Sequence, residues 1–359
     1  FQGQMKTFLL LFFSLALSIA ADELLSVNVV IRHADRAATS GWATFQSPQI
    51  LFRGNGELTD LGIDNAFDQG RDFQQRYVMS GFIDKRFLPS EVFVRSSAVN
   101  RCLMSSAAFS AGLFQQTSKG RSIVPPVITK EQATDGLLVP LLTCGDGWQD
   151  VIARYNLSSN RNVQSAALVA MMQTQWPTAC ASVPPNLVDA IIAEAPNPLI
   201  NMPANYKACA EGAGKEFMYR YIEMLAGAGH HFNELRIKRV AGMLTKELIN
   251  NFVDAANCPS LPCPGQPKLR IYYSHDVNLL AISHIFGVLD RFNGVTPSFS
   301  SALVFETRRN DYGVYVKILL KNGQKSEFVD TNNCMGNCTL AAVIAGASPL
   351  STLTQIPCI

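Results

Sequence analysis

The sequence predicts an α/β fold: a doubly wound mixed sheet flanked by helices, with a smaller helical cap subdomain inserted into it. Three observations carry that prediction. Short, almost continuously apolar runs occur at Leu24–Ile31 and Leu269–Tyr273, as expected of strands buried on both faces. Segments with apolar residues at helical spacing follow them. Between about Cys144 and Leu235 the strand-like runs stop, and helical stretches broken by Pro177, Pro184, Pro185, Pro196, Pro198 and Pro203 replace them.

Residues 1–4 precede the first Met and read as upstream or non-native sequence. Residues 5–20 read as a secretory signal peptide: Met5-Lys6 is a short basic start, Phe8 to Ile19 is apolar, and Ser18-Ile19-Ala20 offers a cleavage site. The apolar stretch is too short for a comfortable membrane span, and no other segment reaches the roughly 18 apolar residues one needs. The α/β core is assigned to 21–143 and 236–359, and the helical cap to 144–235.

Within the core, Thr59 opens a helix whose Ile63, Phe67, Gly70, Phe73 and Tyr77 share one face. Glu91–Val94 is a second strand, ending at Arg95. Ser96 and Ser97 are expected to cap a helix from about Val99 to Phe114. A long helix from about Asn233 to Asn251 leads back to the core, and Val277–Phe286 is a helix after the Leu269–Tyr273 strand. Ser301–Glu306 and Gly313–Leu320 complete the sheet around a turn at Asn310-Asp311. No internal repeat or low-complexity tract is evident.

Hydrophobic residues make up 48% of the 359 and charged residues 16%, so a large core is available. The net charge of +2 implies no nucleic-acid partner. Nine cysteines in a secreted chain imply disulfides with one thiol left over. Cys258/Cys263 and Cys334/Cys338 lie close in loop-like sequence, and Cys102, in an apolar helical pattern, is the expected free thiol. Zinc is the competing reading of such pairs, but an oxidising compartment favours disulfides and no His lies at finger spacing. Asn156 and Asn337 stand in N-glycosylation sequons, which places them at the surface. The implied location is secreted or extracellular, with a lysosome or gut lumen as variants.

Ligands of open α/β sheets bind beyond the carboxyl ends of strands. Three strand ends carry chemistry here: Arg32-His33-Ala34-Asp35-Arg36, Arg95, and Ser274-His275-Asp276. Arginine forks bind phosphate oxygens bidentately and stay charged. Arg32, Arg36 and Arg95 would supply three forks, and His275 one further hydrogen bond. His33 would attack phosphorus, and Asp276 would pass a proton to the leaving oxygen and later activate water. Asp35 is read as a loop carboxylate orienting a neighbouring arginine. His230-His231 point apart as adjacent residues, His284 is structural, and Arg101 and Met104 are read as core or supporting groups. Trp42, Phe45, Phe52 and Trp148 are candidates for a pocket rim. Neither a metal nor a cofactor is expected.

This series resembles the histidine acid phosphatase family, whose signature is Arg-His-Gly-x-Arg-x-Pro followed by a later arginine and a His-Asp pair. Arg32, His33 and Arg36 match the signature. Val94-Arg95-Ser96-Ser97 with Asn100-Arg101 looks like the second arginine segment, and Ser274-His275-Asp276 matches the His-Asp pair. Gly56-Glu57-Leu58-Thr59 and Leu61-Gly62 resemble the segment before the family's first long helix. The resemblance implies a secreted acid phosphatase that hydrolyses phosphate monoesters through a phosphohistidine, with a small-molecule partner and edge strands open to homodimerisation. It also implies pairing of Cys334 with Cys338 and of Cys144 with Cys358, leaving Cys180/Cys209 and Cys258/Cys263 to pair by proximity in sequence. Ala34 and Ala38 stand where the signature has Gly and Pro. The Ala34 methyl is expected to crowd the phosphate, and loss of the proline to loosen the loop from Ala37 to Trp42. A protein that binds a small ligand in the same pocket without efficient turnover is the alternative.

Overall fold

The computed structural model describes residues 22–39, 45, 52–116, 121–139, 144–158, 162–258, 263–323, 325–332, 334 and 338–357. The signal peptide assigned to 5–20, Trp42, Asn337 and Cys358 lie outside the described residues. In chain order the first elements are strand β1 (Glu23–Arg32), helix α1 (Asp60–Phe73), β2 (Val92–Ser96), α2 (Asn100–Leu113), β3 (Gln115–Gln116), β4 (Arg121–Ser122) and β5 (Val127–Ile128). Helices α3 (Gln149–Tyr155), α4 (Val163–Gln175), α5 (Val188–Glu194), α6 (Ala204–Glu211), α7 (Ala213–Ala226), α8 (Glu234–Ile237) and α9 (Met243–Ala256) follow. The chain ends with β6 (Leu269–Ser274), α10 (Asp276–Ile285), β7 (Ala302–Asn310), β8 (Gly313–Asn322), β9 (Lys325–Val329), β10 (Cys338–Thr339) and α11 (Leu340–Ala347).

The main sheet runs β10-β8-β7-β1-β6-β2-β5, with β9 also on β8. The β1–β6, β6–β2 and β2–β5 pairs are parallel; β1–β7 and β7–β8 are antiparallel. The mixed sheet has this form because β1 is apolar on both faces. Val27, Val29 and Ile31 join Phe73, Phe109 and Leu113 from α1 and α2. Val30 faces the other way, into the cluster that holds Leu244, Leu248 and Phe252 of α9 and Leu280 of α10. Asn28, also on that side, is buried, and Asn251 donates to its Oδ1 at 3.0 Å.

Thr59 caps α1, its hydroxyl accepting from the Gly62 amide at 3.1 Å. The expected serine cap of α2 is not formed. Val99 occupies the cap position without a side-chain bond, because Ser97 is turned toward His275. The return helix is longer than expected and is interrupted between α8 and α9 by a π turn at Lys238–Gly242. Disulfides join Cys180 to Cys209, Cys258 to Cys263 and Cys334 to Cys338. Cys144 is disulfide-bonded, and Cys102 is a buried free thiol. Among the described residues no helix is long and apolar enough to cross a membrane.

Candidate active site

The sheet ladder continues one step past the end of β1, and this step builds the site. The His33 amide donates to the Ser274 carbonyl at 3.1 Å, and the Arg32 amide donates to Ser301 at 2.9 Å. Ser300, at φ +60°, donates its amide to the His33 carbonyl at 3.2 Å. Three segments far apart in sequence are thereby stitched side by side. The His33 and His275 rings sit edge to face with centroids 5.6 Å apart. The helix α1 side is fitted just as closely: a Cβ on Gly62 would lie 2.1 Å from the Asp35 carbonyl oxygen, so only glycine lets α1 approach the loop.

Arg32, His33 and Arg36 are buried. Arg32 bonds the Asp276 carboxylate at 2.8 Å and the Pro297 carbonyl, and its guanidinium lies 4.4 Å from the centre of the Phe299 ring. Arg36 forms a two-pronged pair with Asp189 of α5, at 2.7 and 3.3 Å, and donates to the Ala37 carbonyl at 3.0 Å. Asp35 accepts from Asn65 at 2.8 Å, and burial pushes its carboxyl pKa up. Asp276 Oδ1 accepts from the Val277 amide at 2.9 Å at the start of α10.

The His33 tautomer follows from its partner. Nδ1 lies 2.9 Å from the Ala34 carbonyl oxygen, which can only accept. Nδ1 therefore carries the proton and Nε2 keeps its lone pair. Burial, with Arg32 and Arg101 beside it, holds the His33 pKa well below 6.5. His275 is pushed down to about 4, by burial first and by Arg101 next. Its Nε2 lies 3.2 Å from Ser97 Oγ and 3.8 Å from Cys102 Sγ.

Arg95 is placed differently from the other arginines. Its guanidinium pairs at 2.6 Å with Asp135, whose side chain is fully buried, and donates to the Ser96 carbonyl. The charge of Arg101, on the first turn of α2, reaches both histidines, as do those of Arg32 and Arg36. Its helix is tied to the signature loop by a relay: the Ala34 amide donates to Ser105 Oγ at 3.0 Å, and that hydroxyl donates to the Arg101 carbonyl at 2.6 Å. The helical pattern beginning near Val99 was the available signal for Arg101. Nothing local in the sequence marked Asp189 or Phe299, and Ser97 was marked as a helix cap and as part of the second arginine segment, not as a partner of His275.

The Ala34 methyl packs with Leu58 and Ala66 in an apolar cluster bordered by Ile63, Met104 and Ala108. That environment differs from the crowded phosphate contact expected of it. The last two residues of the signature stretch are held without a proline: the Ala37 amide donates to the Glu57 carbonyl at 2.9 Å, and the Ala38 carbonyl accepts from the Gly56 amide at 2.8 Å. Ala34→Gly is therefore expected to leave kcat on an aryl phosphate within about threefold. It should also lower stability by about 1 kcal/mol through lost methyl burial and added backbone entropy. Turnover and thermal unfolding measured together check this, and a tenfold gain in kcat would show that the methyl does obstruct the reaction.

A cavity of about 620 Å³ adjoins the site on the Arg32 side, between α1, the helical insert and the Thr296–Ser300 segment. Arg32, Asp35, Gln69, Lys215 and Phe299 are among its walls. Its size suits a small organic ligand. Elsewhere, His284 Nδ1 accepts from the Gly229 amide at 3.1 Å and stacks on Phe232, a structural role. His230 pairs with Glu223. Trp148 is buried under Arg236, away from any rim, and Asn156 is exposed at a left-handed turn. Among the described residues, no group of three His, Cys, Asp or Glu side chains could hold a metal ion.

The profile of the histidine phosphatase superfamily (branch 2) matches residues 23–140. The chain is 28% identical to human lysosomal acid phosphatase over 327 residues, covering 84% of this chain and 71% of that protein. It is 25% identical to the lysosomal acid phosphatase of Xenopus laevis over 359 residues, covering 94% and 79%. Among solved structures, Hafnia alvei phytase in complex with myo-inositol hexakis sulphate superposes with a TM-score of 0.62 at 16% identity, covering 94% of this chain and 99% of that one.

Proposed function

We propose that this chain, whose residues 23–140 match the profile of branch 2 of the histidine phosphatase superfamily, hydrolyses phosphate monoesters through a phosphohistidine formed on His33. The observation that carries the reading is the His33 tautomer: Nδ1–H is spent on the Ala34 carbonyl, leaving Nε2 as a buried lone pair among arginines. Arg32, Arg36 and Arg101, with His275, hold the phosphate oxygens and neutralise the transferring group. Arg101 replaces the expected Arg95 in this role.

The His33 Nε2 lone pair forms the N–P bond as the P–O bond to the leaving group breaks. The departing oxygen takes its proton from Asp276, 2.8 Å from Arg32. Water then attacks phosphorus, its proton passes to Asp276, and the N–P bond breaks to release inorganic phosphate. Rapid mixing with a radiolabelled phosphate ester and trapping of an acid-labile, base-stable phosphoenzyme tests the scheme. Turnover without such an intermediate would overturn it. Three disulfides among the described residues support a secreted or lysosomal setting for this activity.

The lowered histidine pKa values make acid-range catalysis feasible. A nucleophile must be unprotonated, and His33 stays so well below pH 6.5. The same shifts carry a stability cost. His33, His231, His275 and His284 are all depressed by burial, so the unfolded chain binds protons first as pH falls. Their contribution is full above pH 6.5 and is lost below it. The thermal midpoint is therefore expected to be lower at pH 4.5 than at pH 6.5. An equal or higher midpoint at pH 4.5 would contradict the burial of these rings as neutral species.

A further inference from the structure

We infer that Asp189, carried by the helical insert, is a positioning residue of the phosphate site. This inference rests on the phosphate-binding reading of Arg36. A guanidinium has five N–H donors in a rigid fork. Three are occupied in Arg36: one Nη1–H on the Ala37 carbonyl at 3.0 Å, the other on Asp189 Oδ2 at 3.3 Å, and one Nη2–H on Asp189 Oδ1 at 2.7 Å. What remains is Nε–H with one Nη2–H. These two lie on one edge of the plane and are parallel, the geometry that takes two phosphate oxygens. Asp189 thus fixes the end of the fork and leaves its side for the substrate.

The carboxylate is itself fixed. Thr39 donates to Oδ2 from its hydroxyl at 2.8 Å and from its amide at 3.4 Å. Asp189 sits in the first turn of α5, where the helix end favours a negative charge. Burial alone would raise its pKa, but Arg36 and Thr39 bring it down to about 2. The clamp therefore stays charged through the acid range. Arg32 is held by the same logic, with Asp276 on Nη2, the Pro297 carbonyl on Nη1, and Nε without a hydrogen-bond partner. Two forks are thus presented edge-on, one set by a core carboxylate and one by the insert.

The test is calorimetric titration with inorganic phosphate, together with KM and kcat on an aryl phosphate. The proteins are the wild type, Asp189→Asn, Arg36→Ala and the double variant. Asp189→Asn is expected to weaken phosphate binding and raise KM in parallel by about 10- to 100-fold, the scale of a misplaced binding group. Its kcat should change by less than about threefold, and it should cause no further loss in the Arg36→Ala background. Unchanged phosphate affinity, tighter binding, or a loss that persists without Arg36 would each overturn the inference. Should Asp189→Asn fail to fold, Thr39→Val removes one donor to the same carboxylate, and an unaltered phosphate affinity in that variant would count equally against it. A wild-type protein that binds phosphate without turnover would sink the proposed reaction but leave this measurement intact.

Discussion

Replacement of His33 by alanine is expected to lower kcat on an aryl phosphate by at least about 10⁴-fold, the scale seen when a covalent nucleophile is removed. The residual pocket would still bind phosphate, because Arg32 and Arg36 are held by Asp276 and Asp189 and not by the imidazole. The variant should therefore show near-normal affinity for inorganic phosphate, no trappable phosphoenzyme, and an unfolding midpoint close to that of the parent. Retention of more than about 1% of the activity would remove His33 from the nucleophile role, since that is a far smaller loss than covalent catalysis predicts.

Arg101→Ala and Arg95→Ala should separate catalysis from folding. Arg101 acts on both histidines. Its loss is expected to cut kcat/KM by about 10²- to 10³-fold, as for a missing charge-stabilising donor. It should also move the acid limb of the pH–rate profile upward, because His33 and His275 lose a cation that depresses their pKa values. Arg95→Ala instead strands the buried Asp135 carboxylate, at a cost of about 3–5 kcal/mol in stability, while the folded fraction keeps its turnover. Activity normalised to folded protein, read with denaturant unfolding, distinguishes the two. A folded, inactive Arg95→Ala beside an active Arg101→Ala would return Arg95 to the phosphate site.

The contrast between these two arginines shows how far the sequence could be read. Position at a strand end was legible, because apolar runs mark where β1, β2 and β6 stop. Direction was harder. Val92 and Val94 of β2 face the cluster shared with α1 and α2, so alternation turns Arg95 toward the opposite face, where Asp135 lies. The meeting of Arg32–Arg36 with His275-Asp276 was legible because each group is contiguous in sequence and stands at a strand end. Asp189 was not, since its pairing with Arg36 spans 153 residues and exists only after the insert packs.

The missed elements have similarly physical reasons. Strand β9 is a mostly exposed edge strand carrying Lys325 and Glu327, a charged pattern that discourages further pairing and hides its alternation. Helix α11 reads Leu-Ala-Ala-Val-Ile-Ala-Gly-Ala, a nearly uniform apolar run with no period to detect. Neither expected serine caps α2: Ser96 Oγ donates to the Ser97 carbonyl at 2.9 Å, and Ser97 Oγ lies 3.2 Å from His275 Nε2, a tertiary contact that propensity cannot anticipate.

The insert leaves the chain after β5 and rejoins it before β6, yet Asp189 reaches back to the loop that follows β1. The protein is therefore not modular in the sense its chain order suggests. A core stripped of residues 144–235 would keep His33 and lose Asp189, the ion-pair partner of Arg36. Grafting a different cap onto this core, to change what it admits, would also exchange part of the phosphate grip. Any such chimera has to bring a carboxylate to within reach of both Arg36 and Thr39, or accept weaker binding of every substrate alike.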